Sequence, residues 1–244
     1  MLILKIESPM TNNWEDIWNN RKITVEQELS ILETLIKNDG FDTPFGFMKE
    51  KDWRDYVDSI SHTLNINNKD TIFEVGCCAG AFLFPFYERN IFVSGIDISS
   101  SLISVAKKYL HTNAKFLTNK EAINVDSTEK FDFLFANHVF HYFPNLEYAN
   151  KVLETMLAKS NKAVIITGIP DFEKKSESEN FRKGALSEKE YNEKYDGLSI
   201  LYFYKKWFQD IALLHNYNCY FNDHNMPGFV QNKFRFDCTL KRNF

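Results

Sequence analysis

Apolar positions change their period along the chain, and each change marks a new kind of element. Across residues 1–66 they recur at helical spacing. Val25, Leu29, Leu32, Leu35 and Ile36 fall near one face of a helix over Thr24–Lys37, with Thr24 placed to cap it and Gly40 just past its end. The Gly and Pro of Asp39–Gly46 predict a loop. Trp53, Tyr56, Val57 and Ile60 share the inward face of a second helix, Lys51–Leu64. Then short continuous apolar runs take over: Thr71–Val75, Ile91–Ile96, Lys115–Leu117, Phe131–Ala136 and Ala163–Thr167. Helical patterns at Phe82–Arg89, Ser100–His111 and Leu146–Ser160 separate them. Runs without polar alternation belong to strands covered on both faces, so a parallel sheet is expected, with ligands at the edge where its strands end. The charged, Ser-containing stretch Asp171–Asp196 predicts an exposed, lid-like insertion. A helix over Tyr204–His215 and two strands, Cys219–Asn222 and Phe234–Lys241, follow, and no internal repeat is present.

The chemistry is concentrated at Thr71-Ile-Phe-Glu-Val-Gly-Cys-Cys-Ala-Gly80 and Val93-Ser-Gly-Ile-Asp97. A strand running into a glycine turn, with an acid closing a second strand about twenty residues on, is how a βαβ unit builds a nucleotide site. Cys78 and Ala81 stand where a dinucleotide fingerprint needs glycine, and no Gly-Lys-Ser/Thr step for a triphosphate is present. What remains, Glu74-x-Gly76-x-x-x-Gly80, resembles motif I of the class I S-adenosylmethionine (SAM) methyltransferases, usually written E/D-x-G-x-G-x-G. The segment Phe131-Asp-Phe-Leu-Phe-Ala-Asn137-His-Val-Phe-His141-Tyr142-Phe-Pro144-Asn resembles that family's F-D-x-x-x-x-x-x-V-L-H-H-V-P-D. The resemblance spans residues 66–170 closely and the remainder by element order.

It implies an α/β, Rossmann-like class I methyltransferase fold. The sheet would be seven-stranded and mixed, mostly parallel with the last strand antiparallel, with helices on both faces. Residues 1–66 would form an N-terminal helical cap, and residues 67–244 the SAM-binding core with an insertion at about 171–203. For the site, it implies that Asp97 accepts the ribose hydroxyls; a helix N-cap is the plainer reading. Glu74 would orient the cofactor's amino-acid end, or merely organise the turn. Gly76 and Gly80 would give open backbone, with Cys78 in place of the middle glycine. Ile98 and Leu102 would sandwich adenine, unless they are ordinary core. Asn137 and His138 would sit beside the methionine moiety. His141 and Tyr142 would open toward methyl transfer, where S-adenosylhomocysteine (SAH) is left as product, with His141 a candidate general base or else a satisfied structural group.

The acceptor site falls to the variable parts: Trp14, Trp18, Phe41, Phe45 and Phe47, the insertion, and the loop Asn222–Val230 with His224 as a second candidate base. The alternative for His224 is a solvated loop residue. Lys174, Lys175, Arg182, Lys183 and Arg235 offer charge to an anionic acceptor, though a solvated face is the equal alternative. No Asn/Asp-Pro-Pro-Tyr/Phe sequence is present, against methylation of nucleobase amino groups. The stretch Asp223-His-Asn-Met-Pro-Gly-Phe with Arg235-Phe resembles small methyltransferases of bacterial capsule and surface-polysaccharide gene clusters. That implies a sugar, amino alcohol or phosphoryl acceptor.

Composition narrows the partners. With 244 residues and net charge −4, the chain fits one large α/β domain and lacks the basic excess of a nucleic-acid binder. The opening apolar run is too short for a signal peptide, and no run approaches the ~20 residues of a membrane span, so a cytoplasmic monomer or homodimer is expected. Cys77, Cys78, Cys219 and Cys238 lack C-x-x-C spacing, so no metal site is expected. A SAM-binding protein without transferase activity is the alternative from another class; in it, His141, Tyr142 and His224 would not converge.

Overall fold

The computed structural model describes residues 14–43, 46–111, 114–124, 129–195 and 197–243. The opening run and Phe45 lie outside the described residues, as does the side chain of Phe47. Two helices come first, α1 (Trp14–Asn19) and α2 (Ile31–Asn38). The expected helix from Thr24 starts seven residues late because Ser30, not Thr24, caps it. The Ser30 hydroxyl accepts from Glu33 N at 3.1 Å, and the Glu33 carboxylate takes Ser30 N at 2.9 Å, a reciprocal capping box. Thr24 instead donates its N–H to Asn38 Oδ1, and Val25 is exposed. The expected loop contains a small hairpin, β1 (Asp42–Thr43) with β2 (Gly46–Phe47), before helix α3 (Glu50–Leu64).

The sheet strands are β3 (Thr71–Val75), β4 (Phe92–Asp97), β5 (Ala114–Asn119), β6 (Phe131–Asn137), β7 (Ser160–Pro170), β8 (Tyr217–Asp223) and β9 (Arg235–Arg242). They lie in the order β5-β4-β3-β6-β7-β9-β8. The pairings between β3, β4, β5, β6 and β7 are all parallel, whereas β9 runs antiparallel to both β7 and β8. Six strands therefore point one way, and only β9 opposes them. Helices α4 (Phe84–Glu88), α5 (Ser100–Tyr109) and α6 (Leu146–Lys159) make the crossovers, and α9 (Lys205–Leu214) precedes β8.

Alternation along β6 shows how the sheet is covered. Phe133 and Phe135 enter one core cluster, with Trp53, Phe82 and Phe86, while Leu134 and Ala136 enter another, with Phe140, Leu153 and Phe208. Successive strand side chains face opposite ways, so both faces are buried, as continuous apolar runs require. The insertion is less exposed than its charge suggests. It forms α7 (Lys175–Gly184) and α8 (Glu188–Tyr195), and α7 buries Ser178 and Arg182 and sets Phe181 against Phe234, ring centroids 5.4 Å apart. No helix among the described residues is long and apolar enough to cross a membrane.

Candidate active site

At the end of β3 the chain turns sharply on Gly76, whose φ is +73°. The amides of Gly76 and Cys77 both donate to Ile96 O of β4. Glycine is required there for a second reason: a Cβ would come within 2.4 Å of Val139. At the middle-glycine position Cys78 keeps a left-handed backbone, φ +46°, so the turn survives the substitution at a strain cost of about 1–2 kcal/mol. Cys78 N donates to Asp97 Oδ2 at 3.0 Å, and Ser99 N donates to Asp97 Oδ1 at 2.8 Å. The N-cap of α5 is Ser99, so Asp97 is not the cap. The Cys78 side chain and the Ile98 amide also bear on this carboxylate, and burial raises its pKa against them.

Two more carboxylates crowd this turn. Glu74 is buried, and its Oε2 has no hydrogen-bond partner. Burial, reinforced by Asp39 and Asp97, pushes the Glu74 carboxyl well above the usual range. Asp39, not foreseen from the sequence, caps the turn from the cap segment. Its carboxylate takes Ala79 N at 2.6 Å and Ala81 N at 2.9 Å, and burial raises its pKa to about 8. Beyond β4, Ile98 lines an open cleft of about 680 Å³ with Asn119, Lys120, Glu121 and Ile123. Leu102 is not among the residues that line this cleft; it is wholly buried in the core beneath α5, as the core alternative for it had it.

The ends of β6 and β7 carry the second group. Asn137 Oδ1 accepts from Tyr56 OH and from Thr167 Oγ1. His138, with φ +56°, turns its ring toward the β8–β9 connection and not along the β3 turn: its Nε2 lies 2.9 Å from His224 Nε2. His224 Nδ1 is 2.7 Å from Asp237 Oδ1, which also accepts from Gly168 N. Gly168 must be glycine, since a Cβ would meet the His138 ring at 2.5 Å. His224 is 3% exposed, not a solvated loop residue. His141 Nδ1 lies 3.3 Å from Arg235 Nη1, and His141 and His138 ring centroids are 6.4 Å apart. Burial, with the charges of Arg235 and Arg182, holds His141 well below the usual histidine range. His141 and His224 therefore meet around His138. Tyr142 instead packs under Trp14 and Trp18, with ring centroids at 4.7 and 5.5 Å. Of the expected cations, Arg182 and Arg235 are buried here, while Lys174 donates to Lys233 O and Lys183 is exposed. No group of three or more His, Cys, Asp or Glu among the described residues is arranged to hold a metal ion.

This architecture, with a glycine turn after β3 and an acid closing β4, is the Rossmann-like fold of class I SAM-dependent methyltransferases. Residues 73–161, from β3 to the start of β7, match the family described as a methyltransferase domain. Among solved structures the chain resembles magnesium protoporphyrin IX methyltransferase from Synechocystis PCC 6803 with bound SAH. The two share 13% identity over 94% of this chain and 97% of that one, at a TM-score of 0.62. It also resembles SAM-bound CalS10, an amino pentose methyltransferase from Micromonospora echinaspora, at 11% identity, 90% and 100% coverage and TM-score 0.59. The small RNA methyltransferase HEN1 shares the fold at 19% identity, 81% and 26% coverage and TM-score 0.60. No curated protein matches the sequence.

Proposed function

We propose that this protein transfers a methyl group from SAM to an oxygen or nitrogen atom of a small-molecule acceptor. The observation that carries this reading is the acid-lined turn between β3 and β4. Glu74 Oε2 is buried without a partner, and Asp97 is fixed by the backbone donors of Cys78 and Ser99. A buried carboxyl without a partner is costly, and a cation bound beside it would let this raised acid ionise, so its presence favours a cationic ligand. SAM carries two cationic centres and a ribose diol, and it supplies an electrophilic methyl group when bound. Asp97 would take the diol, Glu74 would face the amino-acid end, and the turn Gly76-Cys-Cys78-Ala-Gly80 would give backbone. Ile98 and its cleft would receive adenine. Asn137, tied down by Tyr56 and Thr167, would bound the methionine side.

Methyl transfer depends first on holding the reactants in line, which alone can lower a barrier by about 7–11 kcal/mol. The cap serves that end: Trp14 Nε1 donates to Ser199 O and both cap tryptophans cover Tyr142, closing the edge where the strands end. Buried Arg182 and Arg235 beside His141 favour an acceptor with a phosphoryl or other anionic group. With the C-terminal resemblance, that supports a precursor of a capsular polysaccharide decoration. The net charge of −4 speaks against a nucleic-acid acceptor.

Isothermal titration with SAH, beside NAD as control, tests the reading. Micromolar SAH binding is expected, with none for NAD. Asp97→Ala should weaken SAH tens-fold or more, since a hydrogen bond to a charged group contributes about 1.5–3 kcal/mol. Equal binding of SAH by wild type and variant would sink the assignment of Asp97.

A further inference from the structure

We propose, building on the methyl-transfer reading, that His138 is the proton acceptor for a hydroxyl-bearing substrate, with His224 and Asp237 as positioning residues behind it. The hydrogen-bonding directions carry the argument. Asp237 Oδ1 already accepts from Gly168 N, so a carboxylate there receives the proton of His224 Nδ1. Neutral His224 then offers a lone pair at Nε2, and His138 must donate from its own Nε2 across the 2.9 Å contact. That leaves Nδ1 of His138 bare. No described residue bonds to this nitrogen, and it is not among the sealed polar atoms lacking a partner, so the 7% of His138 left exposed includes it.

His141 is arranged the opposite way. Arg235 can only donate, so His141 Nδ1 accepts and its Nε2 carries the proton. A bare nitrogen and an N–H from one strand-end loop, on rings 6.4 Å apart, match an oxygen that must lose a proton while accepting a hydrogen bond. A neutral amine needs neither. Of the two histidines expected to act as base, His141 is thus a donor and His224 a relay, and the base falls to the residue between them.

In the step, the hydroxyl proton passes to His138 Nδ1 as the oxygen bonds the methyl carbon, and the carbon–sulfur bond leaves its electron pair on sulfur. The His138 Nε2 proton can shift to His224 Nε2, placing the positive charge beside Asp237. The histidine pair then holds one proton more than at rest, the one taken from the hydroxyl, until it is lost to solvent and the resting arrangement returns.

Nitrogen NMR on the full chain with isotope-labelled histidine, with and without SAH, reads the tautomers directly. At about pH 7 His138 should be protonated at Nε2 and bare at Nδ1, and His224 protonated at Nδ1. His224→Phe keeps a ring but removes the acceptor, so His138 should become a mixture of tautomers with SAH affinity unchanged. A proton on His138 Nδ1 in the wild type, or an unaltered His138 tautomer in His224→Phe, would overturn the relay. Failure to bind SAH would instead strike the methyl-transfer reading, so the two failures are separable. With labelled SAM and a set of sugars and amino alcohols as acceptors, methyl should appear on oxygen. His138→Gln should lower kcat ~10²–10⁴-fold while SAH affinity stays within a few-fold. Transfer to nitrogen that His138→Gln leaves intact would refute the assignment.

Discussion

Single residues decide how the glycine turn after β3 is held. Cys78 reproduces the left-handed backbone of the glycine it replaces, and Asp39 ties the cap segment to the amides of Ala79 and Ala81. Asp39 was not legible in the sequence, because no motif links a helix C-terminus to a turn some forty residues away. Leu102 stayed open between two readings because an apolar residue in the first turn of a helix reads equally as core and as cleft wall, and it is buried in the core. Asp39 also makes stability depend on pH. Its pKa rises from 3.8 to about 8 on folding, so between those values the native state keeps a proton that the unfolded state has lost. Stability contributed by this group therefore falls as pH rises from about 4 to about 8, by at most ~1.4 kcal/mol per pH unit. Urea unfolding at several pH values should show Asp39→Asn with a flatter profile than wild type. Parallel profiles would mean that Asp39 titrates normally.

At the scale of elements, α3 is the support of the turn. Trp53 Nε1 donates to Ala81 O at 2.9 Å, and the indole is fully buried against Phe41 and Tyr56. Trp53→Phe removes that donor and strands a carbonyl, which should cost about 1–3 kcal/mol. SAH affinity should drop with it, since Ala79 and Ala81 bracket Gly80. Loss of stability without loss of affinity would show that the turn holds its shape unaided. The strands and crossover helices were read from the sequence to within a few residues, because continuous apolar runs and helical stripes are direct records of burial. Helix α2 was read too long because Val25 and Leu29 continue the stripe, whereas the box at Ser30 and Glu33 sets the true start. The charge of 171–196 predicted exposure but hid α7, where Arg182 is buried by hydrogen bonds to Ser178 and Tyr202.

Across the whole molecule, the adjacency of the glycine turn and Asp97 was legible because β3 and β4 are neighbours joined by one crossover. The histidine group was legible only as separate candidates. His138 and His224 lie 86 residues apart, and only the insertion of β9 beside β7 brings them together. Strand position also sets dynamics. Strands β3, β6 and β7 are bonded on both sides, while β5 and β8 are the two edges and β8 exposes Tyr220. Hydrogen exchange should be slowest in β3, β6 and β7 and clearly faster in β8. Equal protection of β8 would indicate that something covers the edge in solution.

The strand order β7-β9-β8 also constrains the route by which the native state is reached. The chain passes through β8 before β9, yet β8 has no native partner until β9 is seated. An early β8 is a strand of the same direction as β7, with the edge of β7 still open beside it. Pairing there would resemble the rest of the sheet locally, and it would have to be undone before β9 could enter. The strand that carries Arg235 and Asp237 is therefore also the one that must arrive in time to prevent a wrong edge from forming.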